Sequence, residues 1–92
     1  MPANLKLRPA VRAFAQAMER KLREHDAKRS EDGWKVERSD WLVKRVFEEA
    51  LELHESIVCA QHRHNLHADK EIRDEAVDVA NFAMMVFDNA SV

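Results

Sequence analysis

The sequence predicts a single all-α domain, a helical bundle of about three long helices completed by oligomerisation. Its 92 residues suffice for one domain, which we place over residues 1–92. The composition is poor in turn formers, with one glycine and two prolines, and rich in alanine, leucine, glutamate, lysine and arginine. Because those residues have high helix propensities, we expect helices joined by few loops.

The first predicted helix runs from about Pro9 to about Lys28. Proline suits the first turn of a helix, where a backbone N–H would have no partner. Apolar residues recur at i, i+3, i+4 and i+7 spacing along this segment: Val11, Phe14, Ala15, Met18 and Leu22. The stretch 29–35, which contains the only glycine, breaks this pattern and predicts a loop.

The second predicted helix begins with Ser39 or Asp40 as its N-cap and continues to about Ala60. Its apolar residues recur at helical spacing and predict one buried stripe. The members of this stripe are Leu42, Val46, Ala50, Leu53, Ile57 and Ala60. Glu49 falls at the edge of the stripe.

The third predicted helix begins near Ala68 or Asp69, after a polar stretch from Gln61 to His67, and ends near Asn89. Between residues 76 and 87 it is apolar on nearly every side, so it must be buried on most sides. Two other helices of this length do not cover it completely. We therefore expect a homo-oligomer, a dimer or a tetramer; a tight three-helix monomer is the alternative.

Charge and hydropathy exclude several classes of partner. The net charge of −2, with basic residues scattered among acids, predicts no nucleic-acid binding. No apolar run is long enough to span a membrane, and the N-terminus lacks the apolar core of a signal peptide. The single cysteine, Cys59, rules out an internal disulfide framework and fits a reducing compartment. We expect a soluble cytoplasmic protein.

Two acidic pairs occur at the same helical spacing, Glu49 with Glu52 and Glu75 with Asp78. Residues three apart share a helix face, so each pair is suited to hold one ion. Burying ionised carboxylates costs several kcal/mol, and two of them about 4 Å apart repel by roughly 4 kcal/mol. A hard divalent cation removes this cost, and Mg²⁺ takes phosphate oxygens as further ligands. The pattern favours a magnesium-dependent enzyme acting on a polyphosphate; a solvated acidic face is the alternative.

The segments around these pairs, Phe47–Leu53 and Asp74–Phe82, resemble a known signature, E-E-x-x-E followed by E-x-x-D. It is that of the MazG-type all-α nucleoside triphosphate pyrophosphohydrolases, and the resemblance covers roughly residues 33–89. It implies cleavage of a (d)NTP between its α- and β-phosphates to (d)NMP and pyrophosphate, in nucleotide-pool housekeeping. It also implies an Mg²⁺ site, with Mn²⁺ as a substitute, whose ligands are Glu49, Glu52, Glu75 and Asp78. Glu48 completes the motif as a catalytic base or water-orienting group.

Three further residues are predicted to bind the substrate. Trp34 stands where relatives often carry an aromatic residue, and it either stacks on the base or caps the bundle end. Arg45 is better directed toward phosphates than its neighbour Lys44. Asn81, one turn after the last predicted ligand, is expected to hydrogen-bond a base edge or a sugar. The family usually has a further helix after the third, so a partner chain is expected to supply that wall of the pocket.

Other interpretations stay open. A catalytically idle helical interaction or regulatory module on the same scaffold is the main alternative, and a phosphohydrolase acting on diphosphates or on non-nucleotide substrates is another. Glu71 with Asp74 forms a second E-x-x-D register, but Asp74 points away from the stripe. Trp41 is assigned to packing or to an interface. A transition-metal site is disfavoured because the histidines concerned lie mostly in a polar connector: His54, His62, His64 and His67.

Overall fold

Three α-helices and one short 3-10 helix make up the parts of the chain that the structure, a computed structural model, describes: residues 5–28, 33–60 and 66–90. These helices, in chain order, are α1 (Pro9–Asp26), the 3-10 helix (Gly33–Val36), α2 (Ser39–Ala60) and α3 (Leu66–Asn89). These ranges contain no strand, and the all-α prediction is confirmed. None of the helices in them has the length and apolar character needed to cross a membrane.

The ends of the helices follow from local chemistry. Pro9 occupies the first turn of α1, and Arg8 before it has extended backbone angles, φ −64° and ψ 152°. Ser39 is the first residue of α2. Asp40, in the first turn, accepts a hydrogen bond of 2.9 Å from the backbone N–H of Trp41. A carboxylate at this position also suits the positive end of the helix dipole.

Helix boundaries differ from the prediction by about two residues. α1 ends at Asp26 rather than Lys28, and α3 begins at Leu66 rather than Ala68 or Asp69. Helix ends depend on capping contacts more than on hydrophobic spacing, so differences of this size are expected.

The predicted loop 29–35 is wrong where the structure describes it, because Gly33–Val36 forms a turn of 3-10 helix. The backbone N–H of Glu37 donates to the carbonyl oxygen of Trp34 at 3.0 Å. So short an element has no hydrophobic periodicity to predict it. Residues 29–32, and residues 61–65 of the predicted polar connector, lie outside the described ranges.

α3 is the central helix, and α1, α2 and the 3-10 helix all pack against it. Within the described ranges no Cα atom of α1 lies within 8 Å of a Cα atom of α2. Both run antiparallel to α3, because neighbouring residues pair in opposite order along the helices: Arg45 with Phe82, Glu52 with Glu75, Met18 with Asn81, and Lys21 with Asp78. The arrangement leaves a space between α1 and α2 over one side of α3.

The face of α2 that packs on α3 differs from the predicted stripe. Leu42 is fully buried and Val46 is half-buried, but Ala50 and Ile57 are exposed. Glu49, predicted at the edge of the stripe, belongs to the inner face, with only 6% of its surface exposed. α2 carries apolar residues on two faces. A buried face predicted from hydrophobicity alone is therefore rotated around the helix, away from Glu49.

The apolar core of one chain is small. Its buried apolar residues, within the described ranges, are Leu42, Ala68 and Val77. Large apolar side chains on the outer face of α2 stay in contact with water: Val43, Phe47, Leu51 and Val58. We call these four residues the outer stripe of α2. Most of the apolar part of α3 is half-buried in one chain, and Ala83 and Phe87 are exposed, so its burial on most sides by a partner chain stays a prediction.

Candidate metal and ligand site

Three glutamates from two helices meet at the contact between α2 and α3. Glu49 and Glu52 lie one turn apart on α2, and Glu75 comes from α3. One carboxylate oxygen of each lies within 4.8 Å of the others. The meeting follows from i, i+3 spacing on α2 and from the antiparallel packing of α3. The structure thus brings together three of the four predicted metal ligands, and we call them the glutamate cluster.

Two oxygens of the glutamate cluster are buried without a hydrogen-bond donor among the described residues. They are Oε2 of Glu49 and Oε2 of Glu75. Buried polar atoms are normally hydrogen-bonded, and leaving one unpaired costs about 1–3 kcal/mol, or more for a charged group. Glu52, the third member, is exposed and leaves the cluster accessible from solvent. A cation or a proton at either oxygen would remove this cost.

The pKa values of two carboxyls of the cluster are raised, which also indicates a shortage of positive charge around them. Burial raises the pKa of Glu49 from 4.5 to about 7, and the carboxyls of Glu52 and Asp78 add to this rise. The guanidinium of Arg45 opposes it without cancelling it. Burial also raises the pKa of Glu75, again with help from Glu52 and Asp78. Nearby negative charges and a dry environment both favour the protonated form of a carboxyl.

Arg45 provides a positive charge at the edge of the cluster. Its Nη2 donates to Oε1 of Glu49 at 2.6 Å, and its Nη1 donates to Oε1 of Glu48 at 2.7 Å. The guanidinium also lies over the ring of Phe82, 4.9 Å from its centroid. Arg45, predicted to meet phosphates, is therefore held by two carboxylates here. Glu48, the predicted catalytic residue, is exposed beside Arg45 and outside the glutamate cluster.

Asp78, the fourth predicted ligand, lies near the glutamate cluster without belonging to it. One of its oxygens is 3.4 Å from Nζ of Lys21 on α1, and both side chains are partly buried. Its negative charge helps to raise the pKa of Glu49 and of Glu75. Asp78 is thus close enough to act on the cluster electrostatically, and its role as a ligand stays a prediction.

A cavity of about 540 Å³ lies beside the cluster, in the space between α1 and α2. All four helical elements contribute to its walls, and Glu49 and Asp78 belong to its lining. The three residues predicted to bind substrate all line it: Trp34, Arg45 and Asn81. Trp41, assigned above to packing or an interface, lines it as well. Aromatic and charged side chains thus meet in one cavity next to the carboxylates.

Trp34 is attached to the C-terminal end of α3. Its indole Nε1 donates to Oδ2 of Asp88 at 3.0 Å. Nδ2 of Asn89 donates to the carbonyl oxygens of Trp34 at 2.9 Å and of Glu37 at 3.4 Å. Trp34 is half-buried and, as the alternative interpretation proposed, contacts one end of the bundle. It also lines the cavity, so contact with the end of α3 does not exclude stacking on a base, which stays a prediction.

Asn81 is the second buried polar residue of the described chain, with 5% of its surface exposed. Its Nδ2 donates to the backbone carbonyl oxygen of Met18 on α1 at 3.3 Å. Its Oδ1 is buried and has no donor among the described residues. The carbonyl oxygen of Met18 can only accept a hydrogen bond, so the NH₂ group of Asn81 faces α1. The other end of the amide, Oδ1, therefore faces away from this contact.

Sequence reasoning missed Lys21, Asp88 and Asn89. Nothing in its pattern separates Lys21 from the other basic residues of α1. Asp88 did carry a signal, because a carboxylate in the last turn of a helix opposes the helix dipole and needs a compensating partner. His54 is exposed on α2. His62 and His64 lie outside the described residues, as does the side chain of His67.

No protein-family model matches this sequence, and no curated protein and no solved structure matches it either.

Proposed function

We propose that the chain is a Mg²⁺-dependent nucleoside triphosphate pyrophosphohydrolase that acts on the nucleotide pool. Water adds across the bond between the α- and β-phosphates of a (d)NTP and gives a (d)NMP and pyrophosphate. The observation that carries the proposal is the glutamate cluster, with two unpaired buried oxygens, beside a cavity that contains aromatic and cationic side chains. The resemblance of the two acidic segments to the MazG-type signature supports the choice of reaction.

The donor set fits a hard divalent cation. Carboxylate oxygens are the ligands that Mg²⁺ and Mn²⁺ prefer, and the unpaired oxygens of Glu49 and Glu75 are the atoms that lack a positive partner. We propose that these two residues and Glu52 hold the ion, with Asp78 as a further ligand. When bound, Mg²⁺ supplies charge neutralisation of the triphosphate and a lowered pKa of water.

The cavity fits the rest of the substrate. Its volume of about 540 Å³ lies within the usual range for small-molecule sites, about 300–1,000 Å³. The aromatic rings of Trp34 and Trp41 suit a nucleobase, and the guanidinium of Arg45 suits phosphate oxygens. Glu48, which shares Arg45 with Glu49, is proposed to accept a proton from water or to orient it. Asn81 is proposed to contact the base or the sugar.

The test is a panel of nucleoside triphosphates assayed with Mg²⁺ for pyrophosphate and for orthophosphate. We expect pyrophosphate and nucleoside monophosphate in equal amounts, and a loss of at least a hundredfold in Glu75→Gln. The matched control is Glu55→Gln, which removes an exposed carboxylate of α2 outside the cluster and should keep full activity. Orthophosphate as the sole product, or full activity in Glu75→Gln, would contradict the proposal.

A catalytically idle interaction module remains the second candidate. The observation that favours it is the exposed outer stripe of α2, which is a surface suited to protein contacts. Thermal unfolding with and without Mg²⁺ separates the two candidates. A hydrolase should gain stability from Mg²⁺ in the wild type and not in Glu75→Gln, whereas an idle module should respond to Mg²⁺ in neither.

We also propose that the chain forms a homo-oligomer through the outer stripe of α2. Val43, Phe47, Leu51 and Val58 recur at spacings of four and seven residues, so they lie along one side of the helix, opposite the side that packs on α3. A second copy offers the same apolar stripe, and two such stripes cover each other by twofold symmetry. Such pairing removes four large apolar side chains per chain from water.

A further inference from the structure

Three hydrogen bonds between described residues attach the 3-10 helix, and Glu37 just after it, to the last turn of α3. The indole N–H of Trp34 donates to Asp88, and the amide of Asn89 donates to the carbonyl oxygens of Trp34 and of Glu37. Asn89 therefore binds the backbone on both sides of residues 35 and 36. The segment has few other means of attachment, since Gly33 has no side chain and Val36 is 88% exposed. Its position depends on these two residues of α3.

The position of Asp88 is electrostatically unusual. A carboxylate in the last turn of a helix lies near unpaired carbonyl oxygens and is repelled by them. A hydrogen bond from an indole N–H offsets part of this cost. The same bond uses the only polar group of the Trp34 side chain. The indole can therefore offer a ligand in the cavity nothing but its hydrocarbon and π surface.

We propose that Asp88 and Asn89 are positioning residues, which hold Trp34 as a stacking wall for the planar ring of the substrate's nucleobase. The proposal rests on the proposed function, and it adds residues that do not themselves line the cavity. Because every base has a π-face, the wall accepts purines and pyrimidines alike. Because the wall recognises a ring, it contributes nothing to a substrate that has phosphates and no base.

Two variants of Asp88 test this role. Asp88→Ala removes the acceptor for the indole N–H, whereas Asp88→Asn keeps an oxygen acceptor at the same place. We expect Asp88→Ala to raise the KM for nucleoside triphosphates about tenfold with little change in kcat, and Asp88→Asn to stay near the wild type. Inorganic triphosphate, if it is hydrolysed, should show the same KM in all three proteins. An equal rise in KM for both kinds of substrate would overturn the proposal.

A binding measurement separates failure of this proposal from failure of the proposed function. The chain has two tryptophans, so the Trp41→Phe variant reports the fluorescence of Trp34 alone. We expect nucleoside monophosphates to quench this fluorescence and ribose 5-phosphate to have no effect. The quenching should weaken at least fivefold in Asp88→Ala and in Asn89→Ala, and persist in Asp88→Asn. Quenching that is absent, or unchanged in Asp88→Ala, would overturn the proposal even if the protein hydrolyses triphosphates.

Discussion

Glu49 combines deep burial with negative neighbours and, among the described residues, one cationic partner, Arg45. Its pKa rises to about 7, chiefly because burial removes water from the carboxylate and because Glu52 and Asp78 repel the ionised form. The positive charge of Arg45, whose Nη2 lies 2.6 Å from Oε1 of Glu49, limits this rise of the pKa. Such a carboxyl changes its protonation state near neutral pH. It can therefore be protonated when no metal is bound and ionised when it binds one.

The metal-free protein should lose stability as the pH rises. In the unfolded chain Glu49 titrates near 4.5, and in the folded chain near 7, so folding favours its protonated form. The stabilising contribution is complete below pH 4.5 and is lost as the pH rises through 7. Over this pH range the free energy of unfolding should fall by about 3 kcal/mol. Urea unfolding in a chelating buffer, at several pH values between 4.5 and 8, measures it.

Two variants control this pH prediction. Glu49→Gln stays neutral, so at pH 8 without metal it should be more stable than the wild type by about 2–3 kcal/mol. Glu48→Gln shares the contact with Arg45 but sits on the surface, and it should change stability by less than about 0.5 kcal/mol. Mg²⁺ should stabilise the wild type most at high pH, where its ligands are deprotonated. Equal pH profiles for the wild type and Glu49→Gln would contradict the assignment.

Arg45 should have opposite effects on metal and on nucleotide. Its guanidinium donates to Oε1 of Glu49, so Mg²⁺ at the proposed site would have to compete with it. We expect Arg45→Gln to bind Mg²⁺ about tenfold more tightly in the absence of nucleotide, because this competition is gone. The same variant should bind nucleoside triphosphate at least tenfold more weakly, because a phosphate partner is lost.

Titration calorimetry with Mg²⁺ alone, and then with a nucleotide in Ca²⁺ buffer, measures both effects of the Arg45 change. Lys44→Gln is the matched control, since Lys44 is the exposed neighbour and should alter neither affinity by more than about twofold. Weaker Mg²⁺ binding in Arg45→Gln would show that Arg45 supports the site rather than competing for it.

Among the three α-helices, α1 has the weakest attachment. Within the described ranges it packs on α3 alone, and two polar contacts join them, Asn81 to Met18 and Lys21 to Asp78. None of its described residues is fully buried. α2 and α3, in contrast, pack along their length around the glutamate cluster. Local opening of the fold should therefore begin with α1.

Lys21→Met should speed hydrogen exchange in α1 without affecting α2 or α3. The ion pair with Asp78 is partly buried, so its loss should lower the protection of α1 by about 1 kcal/mol, or about fivefold in rate. Arg20→Met is the control, because Arg20 is exposed on the same helix. Exchange that accelerates equally in all three helices would indicate global destabilisation instead.

Sequence patterns were sufficient for the α-helices but not for the 3-10 helix or for the contacts between elements. Helical spacing and propensity located all three α-helices to within about two residues, because these signals are local. The i, i+3 spacing also placed Glu49 beside Glu52. The bond between Trp34 and Asp88 joins residues 54 positions apart, and it depends on how the 3-10 helix meets the end of α3. Hydrophobic spacing also misplaced Glu49, because α2 has a second apolar face.

At the scale of the molecule, one chain exposes more surface than a compact monomer of its mass. It exposes 7491 Å², whereas a folded monomer of 10.7 kDa exposes about 5,500 Å². The excess is roughly 2,000 Å² per chain, or about 4,000 Å² for two chains, which lies within the range of about 2,000–5,000 Å² that obligate homodimers bury in total. Part of the exposed surface is the outer stripe of α2, so burial between copies is the most direct way to reduce it.

The proposed oligomer should separate when a charge is introduced into the outer stripe of α2. Phe47 is 74% exposed in one chain, and Phe47→Glu would place two like charges in a symmetric interface. We expect light scattering to give a dimer or a tetramer for the wild type and a monomer for Phe47→Glu. Gln16→Glu introduces the same charge at an exposed position of α1, away from the outer stripe, and should keep the wild-type mass. A monomeric wild type at micromolar concentration would contradict the proposal.

The separation of α1 from α2 has a consequence for how the protein responds to its ligand. The cavity fills the gap between these two helices, and both contribute to its lining. A molecule bound there would bridge surfaces that the polypeptide itself leaves apart. Part of the affinity would then be used to immobilise α1, so the occupied protein should be more rigid as well as more stable. The rigidity of the protein would therefore increase with the fraction of molecules whose cavity is occupied.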